Sequence, residues 1–240
     1  MSVDLLPGHG DPSPYRLLIV PMGYQITEEL GRRLTSFVDH GGILVTTYLT
    51  GHCDASNRCH LGGFPGAGLD QLLGIRVEEM DGLPPGETIA IRSCDSLPGL
   101  PATAQVRDYC EVLHCAEDTE VLACYDGEFY AGSPVLTRRR QGAGWAYHLA
   151  ARCEQAFLDT LVDTLVTSHD LPTLSPQRPE TGVWIQERSD GRQRFLFVHN
   201  ATTEQRRVQL HPGPWRDLIS GETVADNFVV PGIGTRALVG

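Results

Sequence analysis

Two hydrophobic patterns divide the chain. Up to about residue 170, short unbroken apolar runs alternate with helical spacing, and beyond the Pro-punctuated stretch Leu171 to Glu180 the period falls to two. The run RLLIV (Arg16 to Val20) suits a strand buried on both faces, as does ILVTTYL (Ile43 to Leu49). Between them Thr27 is placed to cap a helix with Glu28 and Glu29 in its first turn. Leu30, Leu34, Phe37 and Val38 line one face of that helix, and Gly41-Gly42 stops it. Strand, helix and strand of these lengths predict a βαβ unit, hence a parallel sheet with a right-handed crossover.

A short helix is expected near Leu69 to Leu73, followed by strands at Ile75 to Glu79, Thr88 to Arg92, Val106 to Cys115 and Glu120 to Tyr125. Pro134 to Arg140 and Trp145 to Ala150 flank the turn QGAG as a hairpin. Phe157, Leu158, Leu161, Val162, Leu165 and Val166 recur at helical spacing from Glu154 to Ser168, closing an α/β domain. Beyond the proline stretch, VWIQERSDGRQRFLFVHN forms a hairpin about Asp190-Gly191. Short runs near Val208, Trp215, Phe228 and Arg236 continue as a small antiparallel β-domain, with Trp184 and Trp215 expected in its core.

Charge narrows the partners. The formal net charge is −11 and all 19 basic residues are Arg, so phosphate backbones and anionic membranes are repelled, and neither nucleic acid nor membrane is expected as a partner. No apolar stretch approaches membrane-spanning length. The N-terminal MSVDLLPGHGDPSP lacks a positive n-region, so a secretory signal is not expected and the cytoplasm is the expected compartment. The 7 Cys form no C-x-x-C pair and are expected as reduced, mostly buried thiols.

The candidate chemistry lies in the long Gly-rich loop from Gly51 to Gly68. His52, Cys53, Cys59 and His60 are conceivable zinc ligands, but structural zinc sites use short knuckles in two halves, and here the Cys are widely spaced with no second half. Neither a metal nor another cofactor is expected. Cys53 follows a parallel strand, where amidotransferase-like folds keep a nucleophile. It runs into a long loop instead of a tight elbow, however, and His52 beside it is not placed as a base. Glycoside hydrolysis needs two carboxyls facing each other about 5 Å apart for retention. The acidic residues Glu28, Glu29, Glu78, Glu79 and Asp81 read as solvated, and strand neighbours such as Glu78 and Glu79 point to opposite faces. No self-contained catalytic set emerges.

Several phrases resemble family 42 beta-galactosidases, in order and at family-like spacing: YRLLIVPMGYQITEEL, FVDHGGILVTTYLTG, NRCHLGGFPGAGLDQLLGIRVEEMDGLPPGE, GAGWAYHLA, FLFVHNAT and DLISGETV. The segment His60 to Gly66 followed by Leu73 to Glu79 is the most specific. The resemblance spans essentially the whole chain and implies a flavodoxin-like trimerisation domain at 1–172, a linker at 173–180 and the small C-terminal β-domain at 181–240. It implies that the (β/α)8 barrel and both catalytic glutamates of such enzymes are absent, so the chain alone is expected to be inactive. It also implies a homotrimer and a beta-galactosidase catalytic barrel as partners. Family trimers close each cleft partly with a neighbouring subunit, which makes Arg58, His60, Gly62, Gly63, Phe64 and Pro65 candidate interface residues, against a loop that packs only on its own domain. In that loop Cys53 and Cys59 stand where the family often has apolar residues, and are expected as small buried side chains. Two rival readings are a stand-alone amidotransferase-like enzyme and a carbohydrate-binding protein whose Trp184 and Trp215 stack on sugars.

Overall fold

The computed structural model describes residues 3–94 and 96–240. These form two units, residues 6–168 and residues 169–240 with the described residues before Leu6.

The larger unit opens with the expected βαβ. Strands β1 (Leu17–Val20) and β2 (Ile43–Thr47) pair in parallel, joined by helix α1 (Glu28–Asp39). Thr27 caps α1, its hydroxyl accepting from the Leu30 N–H at 3.1 Å, and the buried face is Gly31, Leu34, Phe37 and Val38, one residue per turn or so. Helix α2 (Leu69–Leu73) then leads to strands β3 (Ile75–Gly82), β4 (Thr88–Ser93), β5 (Thr103–Cys115), β6 (Thr119–Tyr125), β7 (Pro134–Gln141), β8 (Gly144–Leu149) and β9 (Ala151–Cys153), and helix α3 (Gln155–Ser168) closes the unit. Among the described residues the sheet runs β1-β2-β8-β7-β6-β4-β5-β3, with β9 on β5.

The α/β class holds, and the parallel pairing is confined to β1, β2 and β8. The rest is antiparallel because hairpins and meanders connect those strands, and parallel pairs need longer crossovers. One core lies between the parallel edge and the helices: Leu34, Phe37 and Val38 of α1 pack with Leu44, Leu69, Leu72, Leu73 and Ile75. Each such buried side chain contributes about 1.5–3 kcal/mol.

The smaller unit contains β10 (Val183–Ser189), β11 (Arg194–Asn200), β12 (Arg206–Gln209), β13 (Arg216–Asp217), β14 (Asn227–Val230) and β15 (Gly234–Val239). Its sheets run β10-β11-β15-β13 and β12-β14, all antiparallel. Leu196, Val198, Val208, Leu210, Val230 and Leu238 fill its core together with Trp215.

Four expectations change. Trp184 is 57% exposed, because its position on β10 alternates outward from the buried Val183. Cys59 is exposed and Cys94, Cys115 and Cys124 are half-buried, so full burial holds for Cys53, Cys110 and Cys153. Glu78 and Glu79 do not face opposite sides: a bulge between Val77 and Glu79 takes Glu78 out of the ladder, leaving both exposed and Glu78 paired with His114 at 2.6 Å. Finally, not every acidic residue is solvated, since Glu111 on β5 is fully buried.

Candidate functional site

The segment from Tyr48 to Gly68 joins β2 to α2 and is folded, not slack. Gly51 donates to the Gly23 carbonyl and the Gly66 N–H returns to the Gly51 carbonyl, each at 2.8 Å, so the loop closes on itself at its base. Between these points the chain makes a small antiparallel ribbon, with Asp54 N–H to Arg58 O at 2.8 Å and His60 N–H to His52 O at 3.1 Å. Asp54 shapes the turn at its end, its Oδ1 accepting from the Ser56 N–H at 2.7 Å and the Arg58 N–H at 3.0 Å. Those two bonds hold the Asp54 carboxyl below its ordinary range, the Arg58 N–H being the larger influence.

The residues singled out by sequence separate into two groups. His60, Phe64 and Pro65 build the loop. The His60 Nε2–H donates to the Ile26 carbonyl at 3.1 Å, and its ring lies where a side chain on Gly66 would be, a Cβ there falling 2.1 Å from the ring. Phe64 stacks on His52 with ring centres 4.3 Å apart and planes 2° from parallel, its backbone bridges to Val77, and Pro65 is buried behind a cis Phe64-Pro65 bond. Arg58 and Gly62 point outward, and Gly63 is half-buried beside Arg76. Leu61, which sequence reasoning missed, is the most exposed large apolar residue described, at 102% of its free accessibility. A cleft of about 1180 Å³ runs along this loop, lined by His60 to Gly68, Arg32, Arg76 and Arg139 among others.

Beneath the loop lies a buried carboxylate. Glu111 Oε1 accepts from the Leu49 N–H at 2.8 Å, Oε2 accepts from His148 Nε2 at 3.0 Å, and His52 Nε2 approaches Oε1 at 3.5 Å. His148 Nδ1 meets the Thr46 hydroxyl at 2.9 Å, and the Tyr125 hydroxyl donates to the Glu111 carbonyl at 3.0 Å. Burial acts to raise the Glu111 pKa, but the hydrogen bonds from His148 and the Leu49 N–H, with the His52 ring close by, outweigh it and hold the carboxyl below its usual range. An ionised Glu111 thereby ties β2, β5, β8 and the loop together. Glu111 is sealed at 0% exposure, with His148 at 1% and His52 at 5%, so the group is placed to hold elements together and not to meet a substrate.

The same geometry bears on the loop thiols. His52 Nε2 aims at Glu111 and His60 Nε2 is spent on Ile26, so neither Nε2 is directed at Cys53 or Cys59. Among the described residues no group of three or more His, Cys, Asp or Glu is arranged to hold a metal ion. Cys53 sits in the ribbon and not in a strand-to-helix elbow.

Residues 1–172 match the family described as Beta-galactosidase trimerisation domain, and residues 182–239 match the Beta-galactosidase C-terminal domain. The chain belongs to the beta-galactosidase trimerisation domain family. It is 34% identical over 228 residues to beta-galactosidase Pbg of Clostridium perfringens, covering 94% of this chain and 33% of that protein. Against beta-galactosidase BglY of Alicyclobacillus acidocaldarius it is 34% identical over 226 residues, 93% of this chain and 32% of that protein. The beta-galactosidase structure from Bacillus circulans sp. alkalophilus superposes with a TM-score of 0.90 at 32% identity, covering 97% of this chain and 34% of that one. For the enzyme from Rahnella sp. R3 the TM-score is 0.89 at 31% identity, covering 100% and 34%. The chain thus spans about a third of the length of these relatives and corresponds to their trimerisation and C-terminal domains, a non-catalytic assembly region.

Proposed function

We propose that this chain is the assembly portion of a beta-galactosidase, which self-associates as a homotrimer and works beside a catalytic barrel that hydrolyses terminal β-D-galactosides. The observation that carries the reading is the match of residues 1–172 to the trimerisation domain family. The loop geometry supports it. A tip bearing Arg58, Leu61 and Gly62 projects to solvent, while His60, Phe64 and Pro65 hold it in shape and Gly63 lies against Arg76. An apolar side chain held fully exposed on a folded loop is what a partner's surface would cover. The domain boundaries follow the same reading: assembly at 1–172, linker at 173–180 and the β-domain at 181–240. No described helix is long and apolar enough to cross a membrane, and the reading places the protein in the cytoplasm. With both catalytic glutamates belonging to the barrel, the isolated chain hydrolyses no chromogenic beta-galactoside.

Light scattering coupled to size exclusion tests the assembly. The mass should rise from 26.3 kDa toward about three times that value with concentration, as mass action requires. Leu61→Asp should hold it at the monomer. A wild-type mass constant at the monomer value, or association untouched by Leu61→Asp, would overturn the reading.

Trp184 favours a second reading, because its indole is 57% exposed and free to stack on a sugar ring. Quenching of tryptophan fluorescence by galactose, lost in Trp184→Ala, would support it.

A further inference from the structure

The ribbon brings two thiols face to face. The bonds Asp54 N–H to Arg58 O and His60 N–H to His52 O flank the bridge between Cys53 and Cys59, which makes these cysteines a directly opposed pair at a non-hydrogen-bonded site. In such antiparallel pairs the Cα atoms lie about 4.5 Å apart, at the near end of the roughly 4.4–6.8 Å that disulfides span. Tyr24 lies beside Cys53, its phenol pushed up first by a hydrogen bond with that thiol and least by Cys59. Cys53 is buried and Cys59 exposed, so one sulfur can meet a solute while the other waits beside it. The backbone there is already fixed, since the Gln25 side chain donates to the Asp54 carbonyl at 3.0 Å and to Asn57 Oδ1 at 3.2 Å.

We propose that Cys53 and Cys59 form a reversible redox pair, oxidised by a hydroperoxide to a cross-strand disulfide that locks the loop ribbon. The Cys59 thiolate attacks one oxygen of hydrogen peroxide. An S–O bond forms, the O–O bond breaks, and the departing hydroxide takes up a proton as water. The Cys53 thiol gives up its proton and attacks the sulfenic sulfur, so that an S–S bond forms, the S–O bond breaks and a second water leaves. Two thiols are oxidised and one peroxide is reduced to two waters; a small dithiol reverses the change by exchange. The exposed member is the attacking sulfur and the buried one resolves it, the usual division in redox-sensing pairs. The pairing rests on the ribbon alone, and the peroxide step on the exposure of Cys59 in the single chain.

Trypsin provides a clean test, because Arg58 lies between the two cysteines. Cleavage after Arg33, Arg58 and Arg76 yields peptides 34–58 and 59–76, each holding one cysteine of the pair and no other. The whole chain would be treated with hydrogen peroxide, alkylated, digested and analysed by mass spectrometry. The expected result is one species joining 34–58 to 59–76, lighter than their sum by two hydrogens and separated by dithiothreitol. Cys53→Ser should abolish the linked species and leave Cys59 as a sulfenic acid that dimedone captures. The proposal fails if 34–58 and 59–76 stay separate after oxidation, if 59–76 is found joined to a second copy of itself, or if either joins a peptide carrying another cysteine.

Discussion

Each unit of the molecule buries one carboxylate among its described residues, and the two are held by different chemistry. Glu111 in the larger unit is met by two imidazoles and one backbone N–H, drawn from β8 and the loop. Asp217 in the smaller unit is met by Arg236 at 2.7 Å and by the N–H groups of Ile219 at 2.8 Å and Ser220 at 3.3 Å. Burial acts to raise both carboxyls, and in both the partners prevail and lower them. The difference lies in where the partners come from. Asp217 is satisfied by its own turn and by one guanidinium, always charged and partly in water, so its site is local. Glu111 is satisfied by elements far apart in sequence, so its site closes only when the fold does.

Removing Glu111 should produce the largest effect. Glu111→Ala leaves buried His148 without its carboxylate and unties the loop from the sheet, and should cost about 3–5 kcal/mol. A fall in the urea midpoint at unchanged slope would measure it. A loss below about 1 kcal/mol would show that the imidazoles need no anion.

Asp217→Asn should cost less, about 1.5–3 kcal/mol, as is usual for hydrogen bonds to a charged group. Its effect should be confined to the smaller unit, read as hydrogen exchange that speeds in residues 169–240 and not in 6–168. Equal acceleration in both would erase the contrast.

Acid should act on both sites with the same sign. A carboxyl lowered in the folded state binds fewer protons there than in the unfolded chain, so its stabilisation is present above the ordinary value and is lost as pH falls through the lowered one. For Glu111 the ordinary value is 4.5 and for Asp217 it is 3.8, so the loss from Glu111 should start at higher pH. Urea midpoints followed downward from pH 7 should fall, and Glu111→Gln should flatten the early part of that fall.

The loop tip should register least. Arg58→Ala and Leu61→Ser touch side chains that lie in solvent, and each should change stability by less than about 0.5 kcal/mol while weakening association. A larger loss of stability would mean that the tip holds the loop, as His60 and Phe64 do.

What could be read from the chain follows the same division between local and distant. The cap at Thr27, the face of α1, strands β1 and β2, helix α3 and the hairpin about Asp190 are set by neighbours in sequence, and periodicity finds them. The Glu111 site joins residues 62 and 37 positions away, at Leu49 and His148, and no spacing rule reaches that far. Its one trace was a glutamate inside the apolar run CEVLHC, where an unpaired charge would be costly. The Cys53–Cys59 ribbon was hidden for another reason: a pairing this short carries no alternation, so the segment reads as an irregular loop. His60 and Phe64, expected at a contact, also support the loop itself, through the stacking of Phe64 on His52 and the His60 bond to the Ile26 carbonyl.

The place of β2 in the sheet also governs how the chain reaches its fold. Its partner on one side, β1, has already been synthesised, but the partner on its other side is β8, and Thr46 meets His148 across a separation of 102 residues. Closing so long a segment is entropically costly, and such pairings make folding slow. During translation the apolar β2 therefore waits with one edge open until β8 has emerged, while the antiparallel strands between them can already pair among themselves. Until then that unpaired edge is open to pairing with another chain.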